Sequence, residues 1–246
     1  MAPEVLAMKR WLVEQLIAPD GGVAVDLGCG NGYDLRILLE ANPRLGRLIG
    51  VDRSEVFGDH RESGHFEFVA ADLSIGIPLP DSSVDAIYSV NLLECLPDPR
   101  AFVAECARVL KPGGSIVLAH FDWDTQTFDG EDRTLVRKLV HAYNDWQQAW
   151  MGHIDPWAGR RIHRLFAENQ DFAGEVRANT LMSNSFSEGS YGRRQAESFE
   201  ALVRRNVVSQ SEFDSFMSHQ RQLGENGIFS YSVTMYVFVG IRTNRA

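Results

Sequence analysis

Cysteine is scarce in this sequence, and several features that mark other protein classes are missing. The 246 residues contain three cysteines, Cys29, Cys95 and Cys106, whose spacing fits neither a zinc site nor a disulfide framework. No run of Lys or Arg is longer than a pair and the formal net charge is −9, which disfavours non-specific binding to nucleic acid. No apolar run approaches the roughly 20 residues of a membrane-spanning helix, and Lys9 and Arg10 interrupt the N-terminal apolar residues, unlike a signal peptide. We therefore expect a cytoplasmic protein with no nucleic-acid or membrane partner.

A short apolar segment that runs into three closely spaced glycines organises the chain. Val23 to Leu27 predicts a buried strand, Gly28, Gly30 and Gly32 follow it, and a helix is predicted from Tyr33 to Glu40. Glycines let the backbone turn tightly and approach a ligand closely, and the N-terminus of a helix offers free N–H groups. Such a turn at the end of the first strand of an open α/β sheet is a cofactor-binding geometry.

The details of this turn argue against a dinucleotide cofactor. The dinucleotide fingerprint G-x-G-x-x-G/A needs a small third residue for close packing of helix on strand. Here the glycine spacing is G-x-G-x-G, and the bulky Tyr33 occupies the packing position. Asp26 lies two residues before the first glycine, where its carboxylate would repel a pyrophosphate but suit the cationic amino group of a bound amino acid. A nicotinamide-dependent dehydrogenase is therefore only a distant alternative.

A second acidic residue ends the next predicted strand, Arg47 to Asp52. Asp52 lies 20 residues beyond Gly32, and a carboxylate in this place can accept hydrogen bonds from both hydroxyls of a ribose. This acid could bind the ribose of S-adenosylmethionine (SAM) or of NAD equally well. It therefore supports either cofactor, and the glycine turn has to distinguish them.

The segment V-D-L-G-C-G-N-G-Y at 25–33 resembles motif I of the class I SAM-dependent methyltransferases. Further family landmarks follow in order as far as residue 121. They are Ala71-Asp72-Leu73 at the end of a strand predicted over 65–72, the segment 77–85 that leads to the fourth strand, and R-V-L-K-P-G-G at 108–114. The motifs D-W-D-T and P-W-x-G-R-R, which begin at residues 122 and 156, are similar to those of metabolite methyltransferases of the ubiquinone/menaquinone-biosynthesis group.

The resemblance implies a fold and a set of cofactor contacts. The fold is α/β: a Rossmann-like, seven-stranded, mostly parallel sheet whose antiparallel last strand lies beside the fifth, with helices on both faces and helical lid insertions. The chain would form one domain over 1–246, with its core at 20–122 and 160–246 and its insertions at about 123–159 and 188–224. In this family the acid at Asp72 accepts from the adenine amino group. The residues implied in SAM binding are Asp26, Gly28, Cys29, Gly30, Asn31, Gly32, Asp52, Arg53, Asp72, Leu73, Ser89 and Asn91.

Methyl transfer from SAM is a direct displacement, so the enzyme chiefly aligns the acceptor and excludes water. Family membership therefore does not predict a catalytic residue. We expect no metal, because the possible ligands His120, Asp122 and Asp124 have no evident fourth partner. His120, at the ligand end of a fifth strand predicted over 115–121, is our candidate general base, with a buried core histidine as the alternative. The family often has v-l-x-H after the fourth strand, and Cys95 takes the place of that histidine. Asp122, Trp123 and Trp157 are candidates for binding the acceptor.

The remaining pattern predicts amphipathic helices and a long final strand. Helices are expected over 4–18, 99–110, 131–150, 162–169 and 193–205, another begins with a capping box of Ser209 and Glu212, and the final strand spans 228–241. Aromatic residues in the predicted lid segments could wall an acceptor pocket or form the core of those helices. They are Trp11, Trp123, Tyr143, Trp146, Trp150, Trp157 and Tyr191.

We therefore expect a SAM-dependent methyltransferase that acts on N, O, S or C of a small molecule, as a monomer or homodimer. A peptide N-terminus is a variant acceptor. Two alternatives stay open. One is a SAM-binding partner or sensor protein that has lost turnover. The other is a nucleic-acid methyltransferase, which the acidic charge and the missing D/N-P-P-Y/F sequence disfavour.

Overall fold

Seven strands form one sheet in the order β3-β2-β1-β4-β5-β7-β6. The computed structural model describes residues 1–53 and 66–244. Strands β1 to β5 pair in parallel, and β7 runs antiparallel between β5 and β6. The predicted mostly parallel sheet, with its antiparallel last strand beside the fifth, is confirmed. The strands are β1 (Val23–Leu27), β2 (Arg47–Asp52), β3 (Glu67–Ala70), β4 (Val84–Val90), β5 (Leu110–Phe128), β6 (Phe172–Ser183) and β7 (Tyr231–Arg242).

Helices cover both faces of the sheet because successive strand side chains point to opposite faces. On one face, residues such as Tyr88 and Val117 pack against α1, α2, α4 and the helices α6 to α8. On the other face, Ile87 and Ile116 pack against α3 and α5. The helices are α1 (Pro3–Val13), α2 (Tyr33–Ala41), α3 (Pro99–Val109), α4 (Arg133–Asn144), α5 (Ala158–Ala167), α6 (Tyr191–Ser198), α7 (Glu200–Arg204) and α8 (Gln210–Glu225).

The predicted boundaries fail where tertiary contacts override the local pattern. Strand β5 continues past the predicted end at Phe121 because Thr127 and Phe128 pair with β7 beyond a break in register. Helix α4 ends at Asn144 rather than at residue 150. The Asn144 side chain bonds to β5 instead: its amide N–H donates to the Trp123 carbonyl at 2.7 Å, and its oxygen accepts from Gln126 at 2.8 Å.

Other boundaries differ by smaller amounts. Helix α1 ends at Val13 rather than at 18, and the helix predicted over 193–205 is divided into α6 and α7. The third strand is observed from Glu67, and its predicted first residue, His65, lies outside the described residues. The predicted capping box of Ser209 and Glu212 is confirmed at the start of α8.

Within residues 1–53 and 66–244, every helix lacks the length or the apolar character that crossing a bilayer requires.

Candidate functional site

The carboxyl ends of β1 to β4 border a cavity of about 400 Å³. This volume lies within the range of small-molecule sites, about 300–1,000 Å³, and its position at the strand ends is where open α/β sheets bind ligands. We call it the strand-end cavity. Its wall contains seven of the predicted cofactor residues together with Trp150 and Gly152 from a distant loop. The seven are Gly28, Gly30, Asp52, Arg53, Asp72, Leu73 and Asn91.

The glycine turn requires glycine for two separate reasons. Gly28, Gly30 and Gly32 have φ of 80°, 53° and 77°, a left-handed conformation that other residues adopt only with strain. A Cβ atom would also lie 3.1 Å from Leu92 at Gly28 and 2.9 Å from Phe68 at Gly32, whereas it would meet open space at Gly30. The backbone at Gly30 is thus open to a ligand in the cavity.

Asp52 is held at the rim of the strand-end cavity by two backbone N–H groups. Its Oδ2 accepts from Gly30 and its Oδ1 accepts from Arg53, both at 2.7 Å. Each carboxylate oxygen can accept a further hydrogen bond. The side chain is therefore oriented to accept from two neighbouring hydroxyl groups of a ligand.

Asp26 supplies a buried carboxyl beneath the glycine turn. It is 2% exposed, and its Oδ2 has no hydrogen-bond partner among the described residues. Burial, reinforced by the nearby Asp34 carboxylate, raises the pKa of Asp26 well above its usual range. A buried acceptor without a donor is costly, so a cationic group of a ligand would satisfy it.

Three more predicted cofactor residues form local hydrogen bonds; Asn91 and Asp72 line the cavity, and Ser89 does not. Ser89 is buried and donates to the Leu27 carbonyl at 2.8 Å, so it joins β4 to β1. Asn91 adopts φ of 57°, and its Oδ1 accepts from Phe121 N–H at 3.1 Å. Asp72 accepts from Ser74 N–H at 2.9 Å.

Five of the twelve predicted cofactor residues do not line the cavity: Asp26, Cys29, Asn31, Gly32 and Ser89. Cys29 is buried, and burial raises the pKa of its thiol. Asn31 is exposed.

His120, the predicted base, is fully buried and both of its ring nitrogens are engaged. Nδ1 lies 2.7 Å from the Phe121 carbonyl and Nε2 accepts from Glu94 N–H at 3.2 Å. These partners fix the neutral tautomer with the proton on Nδ1. Burial lowers the pKa of His120 to about 4. This geometry does not support the predicted catalytic role, since no ring nitrogen is open to an acceptor.

Glu94 is a buried acid that the sequence analysis missed. It is 7% exposed, its Oε2 accepts from the Trp123 indole N–H at 2.6 Å, and burial raises the pKa of its carboxyl to about 7. It follows the fourth strand between the cavity residues Leu92 and Cys95. The family motif has its histidine at the position of Cys95, not at Glu94. A single acid in a short turn does not reveal from the sequence that it is buried.

The three predicted acceptor-binding residues are engaged in local networks and do not line the strand-end cavity. Asp122 is fully buried and forms a two-point ion pair with Arg160, with Nη2 to Oδ1 at 2.6 Å. Trp123 donates to Glu94. Trp157 donates to Asp124, and the Arg160 guanidinium lies 4.8 Å from its ring centre. Their roles toward an acceptor stay predictions.

The other aromatic residues divide between helix packing and the cavity. Tyr143 lies edge-on to Phe199 at 5.4 Å, and the Arg205 guanidinium lies 4.6 Å from the Trp146 ring. Both aromatic residues therefore serve helix packing, whereas Trp150 lines the cavity. In residues 1–53 and 66–244, no group of three or more His, Cys, Asp or Glu residues is placed to hold a metal ion.

Comparison with known proteins identifies the segment that carries the glycine turn. Residues 25–118 match the family model described as "Methyltransferase domain". The chain is 29% identical to the 2-methyl-6-phytyl-1,4-hydroquinone methyltransferase of Synechocystis sp., over 72% of this chain and 52% of that protein. It is 34% identical to the ubiquinone biosynthesis O-methyltransferase of Coxiella burnetii, over 44% of this chain and 47% of that protein. The chain spans about half the length of these curated relatives, and the predicted resemblance is confirmed.

A solved structure supports the same fold. The geranyl diphosphate C-methyltransferase from Streptomyces coelicolor A3(2), in complex with Mg²⁺, geranyl-S-thiolodiphosphate and S-adenosyl-L-homocysteine, superposes with a TM-score of 0.53. The match covers 97% of this chain and 76% of that one at 19% sequence identity. It confirms the predicted Rossmann-like architecture.

Proposed function

We propose that this chain, in which residues 25–118 match a methyltransferase domain, is a SAM-dependent methyltransferase that acts on a small molecule. The observation that carries the proposal is the strand-end cavity. Its wall brings together the glycine turn and two acids that the sequence places at the ends of different strands, Asp52 and Asp72. These groups match an amino acid joined to a nucleoside, which is the chemical structure of SAM.

Each part of SAM has a matching group in this chain. Asp52 would accept hydrogen bonds from the two ribose hydroxyls, since each of its oxygens retains acceptor capacity. Asp72 and the backbone N–H of Leu73 would bind adenine. The open backbone at Gly30 fits the methionine part, and the unpartnered Asp26 carboxyl suits the cationic amino group. The bound cofactor would supply a methyl group activated by its sulfonium.

The chain's contribution to the transfer is alignment and exclusion of water. His120 is kept out of the chemical step because it is buried and both ring nitrogens are engaged. A neutral amine or an ionised thiol accepts a methyl group without a base.

We take the acceptor to be a small molecule. The names of two relatives, a 2-methyl-6-phytyl-1,4-hydroquinone methyltransferase and a ubiquinone biosynthesis O-methyltransferase, make hydroquinones the first class to test. The net charge of −9 argues against nucleic acid. Cys29, Cys95 and Cys106 are unpaired, which suits the reducing cytoplasm. We take the protein to be a monomer or a homodimer there.

We also propose that residues 1–246 form one domain with a core and two helical insertions. Support comes from the sheet, which uses strands from both ends of the described chain. Helix α4 lies within the first expected insertion, and α6, α7 and α8 lie in or next to the second. The extension of β5 to Phe128 moves the start of the first insertion to about residue 129.

An acceptor screen tests this function. Purified protein is incubated with SAM and a panel of hydroquinones, carboxylic acids, amines and thiols, and S-adenosyl-L-homocysteine (SAH) is measured by mass spectrometry. We expect SAH above background with one acceptor class and none with Asp52→Ala. SAM binding without turnover on any acceptor would favour the partner or sensor alternative instead.

A further inference from the structure

A tryptophan outside the matched domain lines the strand-end cavity. Trp150 and Gly152 belong to its wall, although they lie between α4 and α5 and beyond the matched residues 25–118. The sequence pattern places Trp150 on a helix over 131–150. Because α4 ends at Asn144, the segment 145–157 is instead a connection that reaches the cavity.

This connection contributes one buried side chain, and hydrogen bonds between its own residues hold its shape. Met151 is 6% exposed. The Gln147 amide donates to the carbonyls of Met151 and Gly152 at 3.1 and 3.3 Å. A Cβ atom at Gly152 would lie 3.9 Å from the Cys95 carbonyl, so the connection lies close to the turn that follows β4.

Arg53 ties the connection to one end of the cavity. Its Nη2 donates to the Trp150 carbonyl at 2.9 Å. Hydrogen bonds from Ser74 hold the pKa of Asp72 below its usual range, and the charge of Arg53 contributes in the same direction. Arg53 therefore lies near both Asp52, its neighbour in sequence, and Asp72. These are the acids that we assign to ribose and adenine.

Trp150 is unusually exposed for a residue beside such an anchor, and its indole N–H donates to the Gln148 side chain at 3.1 Å. It is 55% exposed, whereas the adjacent Met151 is buried. A ligand in the cavity would cover indole surface that the protein leaves in solvent. Flat aromatic rings are suited to this because a nucleobase packs favourably on their faces.

We propose that Trp150 is a cofactor-binding residue that covers the adenosine part of SAM. The connection 145–157 thus forms part of the cofactor site, together with the motif residues of the methyltransferase domain. The inference rests on the proposed function, and its test distinguishes the two.

The test is calorimetric titration of the full chain with SAH and with 5′-methylthioadenosine, which lacks the amino-acid part. The variants are Trp150→Ala, Trp150→Phe and Met182→Ala. Met182 is a matched control because it is 53% exposed on β6 and does not line the cavity. We expect Trp150→Ala to weaken both ligands by about tenfold or more. Trp150→Phe should stay within about threefold of wild type, and Met182→Ala should bind normally.

Titration of Asp52→Ala in parallel distinguishes a failure of the proposed function from a failure of the role of Trp150. If it loses SAH while Trp150→Ala binds SAH as wild type does, the proposed function stands and the role of Trp150 is refuted. If Trp150→Ala weakens SAH but not 5′-methylthioadenosine, the assignment to adenosine is wrong. If the wild type binds neither ligand, the proposed function and this inference both fail. Thermal unfolding of each variant verifies that the fold is intact, which we expect for so exposed a side chain.

Discussion

Lys9 of α1 and Asp34 of α2 form an ion pair, with their side chains 22% and 10% exposed. Asp34 lies close enough to Asp26 to raise the pKa of that buried carboxyl, and the Lys9 charge opposes this effect. One lysine on the leading helix thus offsets acidic charge around Asp26, a residue that we assign to cofactor binding.

Replacing Lys9 should therefore destabilise the fold more than replacing a lysine in a surface pair. We expect Lys9→Met to lower the free energy of unfolding by about 2–3 kcal/mol, because it leaves a largely buried carboxylate without its positively charged partner. Lys138→Met is the control, since the side chains of Lys138 and Glu212 are about 40% exposed. We expect it to change the free energy of unfolding by no more than about 0.5 kcal/mol. Urea unfolding measures both, and equal losses would contradict the importance of the buried pair.

Glu94 should make stability fall as the pH rises. Its pKa is about 7 in the folded protein against 4.5 for the ordinary residue, mainly because it is buried. Between these pH values the folded state holds a proton that the unfolded state has released, so stability decreases through this window. Glu94→Gln retains an oxygen for the Trp123 N–H and removes the titration.

We expect Glu94→Gln to gain up to about 3 kcal/mol relative to wild type between pH 4.5 and pH 7. Urea unfolding across this range measures the difference. Glu225→Gln, at an exposed position on α8, is the control and should follow the wild-type profile. Parallel profiles for wild type and Glu94→Gln would show that the carboxyl is ionised in the fold.

Two glycines of the turn should respond differently to alanine. Gly32→Ala combines a left-handed φ with a Cβ atom 2.9 Å from Phe68, and it should cost about 2–4 kcal/mol of stability. Gly30→Ala meets open space and should cost about 1–2 kcal/mol, but its methyl group would project where the ligand approaches. We expect the larger loss of SAH affinity for Gly30→Ala. The prediction is wrong if one of the two variants shows both the larger loss of stability and the larger loss of SAH affinity.

The sequence predicts the parts of the site that local chemistry dictates. The glycine spacing, Asp52 and Asp72 are recognisable because a turn with left-handed φ needs glycine, and because the carboxyl ends of parallel strands meet at one edge. The mostly parallel sheet with its antiparallel last strand beside the fifth is implied instead by the resemblance to the class I SAM-dependent methyltransferases.

The remaining features depend on contacts between distant residues. His120 has the position of a ligand-facing residue, but Phe121 and Glu94 occupy both ring nitrogens. Trp150 carries the spacing of a helical stripe, yet the side-chain bonds of Asn144 to β5 end the helix six residues earlier. No periodicity reveals that Arg53 contacts the Trp150 carbonyl, 97 positions along the chain.

The most direct test of the account is calorimetric titration of wild type and Asp52→Ala with SAM, SAH and NAD. Asp20→Ala, at an exposed acid away from the cavity, is the control. We predict micromolar binding of SAM and SAH by wild type and Asp20→Ala, a loss of about 100-fold or more in Asp52→Ala, and no binding of NAD. Binding of NAD alone, or equal affinity for SAH with and without the Asp52 carboxylate, would contradict the account.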